Sequence, residues 1–317
     1  MAVTDHPRPD VETDDAPRSV QTTWLDRHRV RAAENRAMTR LTLGASRRAR
    51  ALALVALVVL AVVWLVPFFW GIDTSFKTET DAATSATWIP PSGFTTDAYE
   101  AVLGRGDVLR WTWNTTVVAV IVTAVTVMVS AMAAYAFSRT LFRGRKVLLA
   151  LTVAAILVPP QILIVPLFQQ MQAFRLVDTL AAVILPQVVA PVMVFILKGF
   201  FDGIPEELLD AARIDGAGPW RLFWTIVLPL SRSILVAVAI FVFIGAWNNF
   251  LWPFIVTNDP SLMTLPVGLS TVKSAYGVQY AQTMASAIVA AIPLLVVFML
   301  FQRRIVQGVA TTGMGGQ

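Results

Sequence analysis

Residues 206–229 read EELLDAARIDGAGPWRLFWTIVLP, and this polar stretch separates two long apolar runs. It contains four acidic residues, although the chain places almost no acids near its other apolar runs: Glu206, Glu207, Asp210 and Asp215. Such a stretch must contact a further surface besides lipid and bulk water. We therefore interpret it as a docking element.

The composition indicates an integral membrane protein. Of the 317 residues, 56% are hydrophobic and only 14% are charged, and the apolar residues come in blocks of about twenty. The chain has no cysteine, and its two histidines, His6 and His28, lie in the polar N-terminal region. We therefore expect no disulfide, no metal site and no histidine-based catalysis. In a membrane protein, basic residues usually determine the orientation of the chain in the membrane. We therefore do not interpret the net charge of +5 as a sign of nucleic-acid binding.

The apolar blocks predict an all-α polytopic membrane protein with six transmembrane helices. Each block can cross a hydrocarbon core of about 30 Å at about 1.5 Å per residue. The predicted spans are 51–70, 114–137, 147–170, 180–200, 232–255 and 283–302. Residues 1–50 form a partly disordered tail, which either binds lipid headgroups or simply orients the first span. Residues 51–317 form the transmembrane domain, with a cytoplasmic loop at 201–231.

The basic residues predict the topology. With a cytoplasmic N-terminus, twenty Lys and Arg residues lie on the inner side and five on the outer side. Cytoplasmic segments of membrane proteins carry such an excess of basic residues. Both termini and the stretch 206–229 are therefore predicted to be cytoplasmic.

Prolines are concentrated in the predicted spans, most densely in the third and fourth. Each proline removes a backbone hydrogen bond and crowds the preceding turn, so kinks are expected, with a break at Pro159-Pro160. Backbone carbonyls that lose their hydrogen bond inside the membrane must be buried against protein or line a water-filled cavity. The prolines therefore indicate either a gated pathway or kinks that serve only packing.

The spans contain almost no ionisable side chain, which argues against a proton- or sodium-coupled carrier. The chain also lacks a G-x-x-x-x-G-K-[ST] phosphate loop. No catalytic residue is therefore predicted. If ATP drives transport, a partner subunit hydrolyses it.

The stretch 206–229 predicts a short helix followed by a second helical piece. Pro205 suits the first helical position, and Glu206 and Glu207 suit the positive end of the helix dipole. Gly216 can adopt the left-handed conformation that ends a helix. The small side chains of the Ala211-Ala212 pair would let another surface approach closely.

This stretch resembles the E-A-A, three residues, G, nine residues, I-x-L-P signature of permease subunits of binding-protein-dependent ABC importers. The matching positions are Asp210, Ala211, Ala212, Gly216, Ile226, Leu228 and Pro229. Asp210 replaces the usual Glu, which keeps the charge and shortens the reach by one methylene. Further segments, including AAYAFSR, VPPQILIVPLF and WNNFLWPFIVTNDPSLMTLPVGL, resemble the sugar-importer branch, in particular the maltose-type second permease. Asn249 stands where that branch commonly has Glu.

The resemblance implies a type I ABC importer permease fold in a bacterial-type cytoplasmic membrane. It also implies a second permease subunit in a heterodimer, two cytoplasmic ATPase subunits and an extracytoplasmic solute-binding protein. ATP and Mg would be bound by the ATPase subunits, so this chain would need no cofactor. Its role would be to couple ATP hydrolysis to the translocation path through the stretch 206–229.

Aromatic and amide side chains near the breaks predict a sugar path, since aromatic rings stack on pyranose faces and amides bond hydroxyls. The candidates are Gln161, Gln187, Trp247, Asn248 and Asn249. Such amides also commonly bond neighbouring helices, which is the simpler explanation for each one. An importer of another small polar solute, a secondary carrier and a membrane-embedded enzyme or scaffold remain alternatives.

Overall fold

A computed structural model describes residues 47–104, 107–271 and 279–313, and this part of the chain is helical without a β-strand. The chain divides into two units, residues 1–67 and 68–317. Of the predicted tail, only residues 47–50 are described. The first unit contributes the apolar, exposed start of helix α1.

The helices are numbered in chain order. They are α1 Arg47–Ser75, α2 Glu79–Thr84, α3 Asp97–Gly104, α4 Asp107–Arg139, α5 Arg145–Ile156, α6 Ile164–Ala173, α7 Leu180–Ile184, α8 Pro191–Asp202, α9 Glu206–Ile214, α10 Pro219–Leu222, α11 Leu228–Leu230, α12 Arg232–Trp247, α13 Leu251–Val256, α14 Leu265–Thr271 and α15 Tyr280–Gly313. Short 3₁₀ turns at Pro160–Leu163 and Leu185–Val188 precede α6 and α8, and a π-helical turn at Phe223–Val227 joins α10 to α11.

Three helical stretches are long and apolar enough to cross a membrane: Ala51–Ser75, Asp107–Arg139 and Tyr280–Met299. Three further candidates are bent pairs. The pair α5–α6 bends by 99°, α7–α8 by 43°, and α10–α11 meets α12 at 80°. The described residues therefore contain three candidate spans, or up to six if each bent pair is one span.

Prolines explain two of the breaks in the helices. The predicted break at Pro159-Pro160 is confirmed, because α5 ends at Ile156 and the chain resumes helically at Pro160. In the fifth predicted span the break lies between Trp247 and Leu251. Pro253 lacks the N–H that would bond the carbonyl of residue 249, so a continuous helix is disfavoured there. By contrast, α15 continues through Pro293 without interruption.

Helix α4 is the centre of the second unit and packs mainly against α8 and α12. Around its first half lies one buried cluster, which includes Val118, Val183 and Leu265. Around its second half lies another, which includes Leu197 and Phe201 of α8. The second cluster also takes in side chains of α9 and of the π-helical turn, so it fixes the stretch 206–229 to the helical bundle.

The start of α4 is fastened to the chain between α13 and α14. The indole N–H of Trp111 donates to the Pro260 carbonyl at 2.8 Å, and the Asn114 amide donates to the carbonyls of Ser261 and Met263 at 2.9 and 3.0 Å. Gly268 of α14 lies so close to the Trp111 ring that a Cβ there would overlap it. These contacts tie segments about 150 residues apart in sequence.

Candidate functional site

Helix α9 begins at Glu206, and Pro205 precedes it with φ −54° and ψ 131°. Pro205 is therefore the residue before the first helical position, one place earlier than the sequence predicted. Glu206 and Glu207 occupy the first turn, where the positive end of the helix dipole stabilises their carboxylates. The predicted acidic start of this helix is confirmed.

The predicted end of α9 at Gly216 is also confirmed. Gly216 has φ +79°, a conformation that costs glycine little. Its N–H donates to the Arg213 carbonyl at 3.0 Å, and the Ala217 N–H donates to the Ala212 carbonyl at 2.9 Å. This pair of bonds is a Schellman motif, which satisfies carbonyls at the end of a helix.

The faces of α9 differ in burial. Leu209 is only 1% exposed and lies in the second buried cluster, which Ala212 also contacts. Ala211 is exposed, and Ile214 is 86% exposed. The alanine pair is therefore divided between two roles, because Ala212 packs inward and Ala211 faces outward. The outward face also carries the exposed residues Glu206, Glu207, Asp210, Asp215 and Gly216.

The I-x-L-P part of the signature has a different environment. Ile226, Leu228 and Pro229 are each half-buried, and Ile226 and Leu228 pack against the second buried cluster. Val227 between them is fully buried. These positions anchor the second helical piece, whereas the exposed acids and Ala211 on α9 form a surface that a partner can reach.

An ion-pair network organises the outward face of α9. The Arg213 guanidinium lies 2.6 Å from Asp210 Oδ1 and 3.2 Å from Glu206 Oε1. Hydrogen bonds first to Asp210 and then to Glu206 raise the pKa of Arg213 above its ordinary value. Exposed pairs of this kind contribute little stability. Here they link Arg213 to two of the acidic side chains on this face.

Arg139, at the end of α4, fastens α9 to the bundle. Its side chain is only 7% exposed and lies 2.9 Å from Glu206 Oε2. The guanidinium also donates to the carbonyls of Phe201 and Asp202, and to that of Ile204 at 2.5 Å. Arg139 therefore adds a charged donor to carbonyls at the end of α8 and just before α9, and so bonds to both segments at once.

Two neighbours of Arg139 extend this attachment. The Ser138 hydroxyl donates to Asp202 Oδ1 at 2.6 Å, and the Tyr135 hydroxyl donates to the Pro219 carbonyl at 2.9 Å. We name Tyr135, Ser138 and Arg139 the α4 clamp. The sequence reasoning missed their role and used AAYAFSR only as a family likeness. The available signal was their i, i+3, i+4 spacing, which places three polar groups on one helix face.

A second feature is a cavity of about 330 Å³ at the proline breaks. Gln161, Gln187 and Asn249 all line it, together with Trp252. The Asn249 amide donates to Gln187 Oε1 at 2.8 Å, and the Gln187 amide donates to the Val183 carbonyl at 2.7 Å. The structure thus brings three of the five predicted path residues together, and two of them bond to each other across 62 residues of sequence.

The other two predicted path residues do not line this cavity. Trp247 is 3% exposed, and its ring stacks on Phe243 with centroids 5.7 Å apart. The Asn248 amide donates to the Ile244 carbonyl of its own helix at 2.9 Å. The aromatic ring at the cavity belongs instead to Trp252, whose N–H donates to the Ala182 carbonyl at 2.9 Å. Within the described ranges, no group of three or more His, Asp or Glu side chains could hold a metal ion.

The sequence model of the family described as "Binding-protein-dependent transport system inner membrane component" matches residues 126–311, which include the α4 clamp, α9 and the cavity. The chain belongs to this family. It is an integral membrane protein and a permease of the ABC transporter class. The ion-paired helix α9 is therefore a feature of a permease subunit.

Relatives of this permease support the assignment along most of its length. It is 34% identical over 261 residues to the arabinooligosaccharides transport system permease protein AraQ of Halalkalibacterium halodurans, covering 81% of this chain and 93% of that protein. It is 32% identical over 277 residues to the diacetylchitobiose uptake system permease protein NgcG of Streptomyces coelicolor, covering 86% and 91%.

A solved structure supports the fold. The permease matches a chain in the crystal structure of a bacterial ABC transporter involved in the import of the acidic polysaccharide alginate, with a TM-score of 0.71 and 20% identity. The match covers 81% of this chain and 98% of that chain. The predicted type I ABC permease fold is confirmed at this level.

Proposed function

We propose that this permease forms half of the translocation path of an ATP-driven importer for a sugar or related polyol. In this proposal α9 receives the movement of a cytoplasmic ATPase subunit and passes it to the membrane helices. The observation that carries the proposal is the attachment of α9. Leu209 on its inner side is buried in the second cluster, and Arg139 of α4 holds its start through Glu206 and the Ile204 carbonyl, while Asp210, Ala211 and Asp215 stay exposed.

The sugar assignment is supported by the names of relatives and by the cavity. Relatives at 34% and 32% identity are named for arabinooligosaccharides and diacetylchitobiose. The cavity joins the ring of Trp252 to three amides, and these groups suit pyranose faces and hydroxyls. We propose Gln161, Gln187, Asn249 and Trp252 as the part of the path contributed by this subunit.

The proposed arrangement has six spans with both termini in the cytoplasm. The excess of basic residues on one side supports it. The partners are a second permease subunit, two ATPase subunits that bind ATP and Mg, and an extracytoplasmic solute-binding protein. The permease itself contributes no catalytic group.

The testing experiment is to purify the chain with its accompanying subunits and reconstitute them in liposomes. A sugar-loaded binding protein should stimulate ATP hydrolysis and uptake together. Asp210→Lys reverses one charge on the face of α9, so we expect uptake to fall while the subunits remain folded. Glu100→Lys, on the exposed surface of α3, is the charge-matched control and should retain uptake. If neither an ATPase nor a binding protein accompanies the purified chain, the proposal is contradicted.

The nearer alternative is an ABC importer for another small polar solute, and the cavity amides would serve it equally. Screening binding proteins loaded with sugars and with other polar solutes separates these two. A secondary carrier would not need α9. Solute uptake that persists without any ATPase subunit would favour the carrier.

A further inference from the structure

Four cationic residues line a surface cavity of about 810 Å³ where the chain passes from α4 to α5. We name this cavity the basic pocket. Its cations are Arg143, Arg145, Lys146 and Lys198. No acidic side chain of the described residues lines it, so the pocket concentrates positive charge.

Only part of this charge is compensated. Lys198 Nζ lies 2.6 Å from Asp202 Oδ2, and Arg145 donates to the carbonyls of Ser138 and Thr140 at 3.4 and 3.2 Å. Arg143 and Lys146 are exposed and make no ion pair or side-chain hydrogen bond within the described residues. Arg145 and Lys146 also begin α5, where the helix dipole disfavours cations. The pocket is therefore electrostatically suited to an anion.

The surface next to these cations is strongly apolar. Leu141 is 95% exposed, and Val147 and Leu151 of α5 are 63% and 60% exposed. Helix α5 has no buried residue in this chain. A small soluble anion would contact only the cations, whereas an amphiphile with an anionic head and aliphatic chains matches both surfaces.

We propose that the basic pocket binds the headgroup phosphate of an anionic membrane phospholipid, with the acyl chains along α5. Basic pockets at the membrane boundary recognise such headgroups through their charge. The N-terminal residues 5–15 contain five acids and would also complement the charge. They offer almost no aliphatic surface, so the apolar face of α5 favours the lipid.

The test uses the full chain with its accompanying subunits in detergent. Phosphatidylglycerol and phosphatidylcholine, each with a photoreactive group on the acyl chain near the headgroup, are cross-linked and the labelled peptides are mapped. We expect phosphatidylglycerol to label residues 141–151 preferentially. Arg143→Gln with Lys146→Gln should lower its affinity about 25-fold, since each cation contributes about fivefold. Arg143→Lys with Lys146→Arg should preserve it.

A charge-matched control is Arg221→Gln with Arg232→Gln, because both residues are exposed and lie outside the pocket. This control should retain phosphatidylglycerol labelling. Equal labelling by the two lipids, or an equal loss in the control, would overturn the proposal. So would displacement of phosphatidylglycerol by inorganic phosphate at the same concentration, which would indicate a soluble anion. Cross-links from the pocket to residues 5–15 would show that the tail occupies it.

Discussion

Replacing Arg139 should detach α9 from α4 without unfolding the bundle. The Arg139 side chain is 7% exposed, whereas Glu206 is 58% exposed, so solvent screens their ion pair, which contributes at most about 1 kcal/mol. The larger effect comes from the Ile204 carbonyl just before α9, which would lose a charged donor. With about 2 kcal/mol for this bond to a charged group and up to about 1 kcal/mol for the ion pair, Arg139→Gln should lower the free energy of local opening of α9 by about 3 kcal/mol.

Amide hydrogen exchange of residues 206–216 measures this opening directly. A loss of about 3 kcal/mol corresponds to exchange about 100-fold faster in Arg139→Gln. Glu206→Gln keeps an acceptor for Arg139 and should accelerate exchange less than tenfold. Arg143→Gln removes the same charge from an exposed site and should leave α9 unchanged. Exchange in Arg139→Gln within threefold of the original chain, or acceleration spread evenly over all helices, would refute the reasoning.

Three further changes test other parts of the permease. Gly216→Val forces a β-branched residue to φ +79°, which should cost about 1–3 kcal/mol and reduce sugar-stimulated ATP hydrolysis; Gly218→Val, where φ is −71°, is the control. Gly268→Ala places a methyl group into the Trp111 ring, so the thermal midpoint in detergent should fall by several degrees, and an unchanged midpoint would contradict that packing. A hydrogen bond from the backbone N–H of Asn258 lowers the pKa of Asp178. The ionised Asp178 carboxylate therefore stabilises the folded state above the unfolded-state pKa of about 4. This stabilisation is lost as the pH falls through the lower folded-state pKa. Asp178→Asn should therefore remove part of the loss of thermal stability below about pH 4, and an unchanged acid profile would contradict the assignment.

Local features were predictable from the sequence because local chemistry determines them. Gly216 ends α9 in the left-handed conformation, and the Pro159-Pro160 pair breaks the third predicted span. The backbone restrictions of glycine and proline act within one or two turns. These predictions therefore needed no knowledge of neighbouring helices.

The α4 clamp was not predictable in the same way, because its partners are distant in sequence. Arg139 bonds to residues 62 to 67 positions away. The segment 232–255 shows a related difficulty, since it is apolar on nearly all sides and its periodicity does not reveal a buried face. The break after Trp247 redirects the chain, so Trp247 and Trp252 both pack in the first buried cluster but Trp252 also lines the cavity.

Helix α4 differs from the other predicted spans in containing neither proline nor glycine. It runs unbroken for 33 residues, about 50 Å, with the clamp at one end and Trp111 near the other. A helix without proline or glycine resists bending, whereas the angle between α5 and α6, now 99°, can change at the proline break. We therefore expect movement of α9 to tilt α4 as a rigid body. Spin-label distances between the two ends of α4 should stay constant when ATP is added, while the distance from α5 to α6 changes; shortening of α4 itself would show that it does not act as a lever.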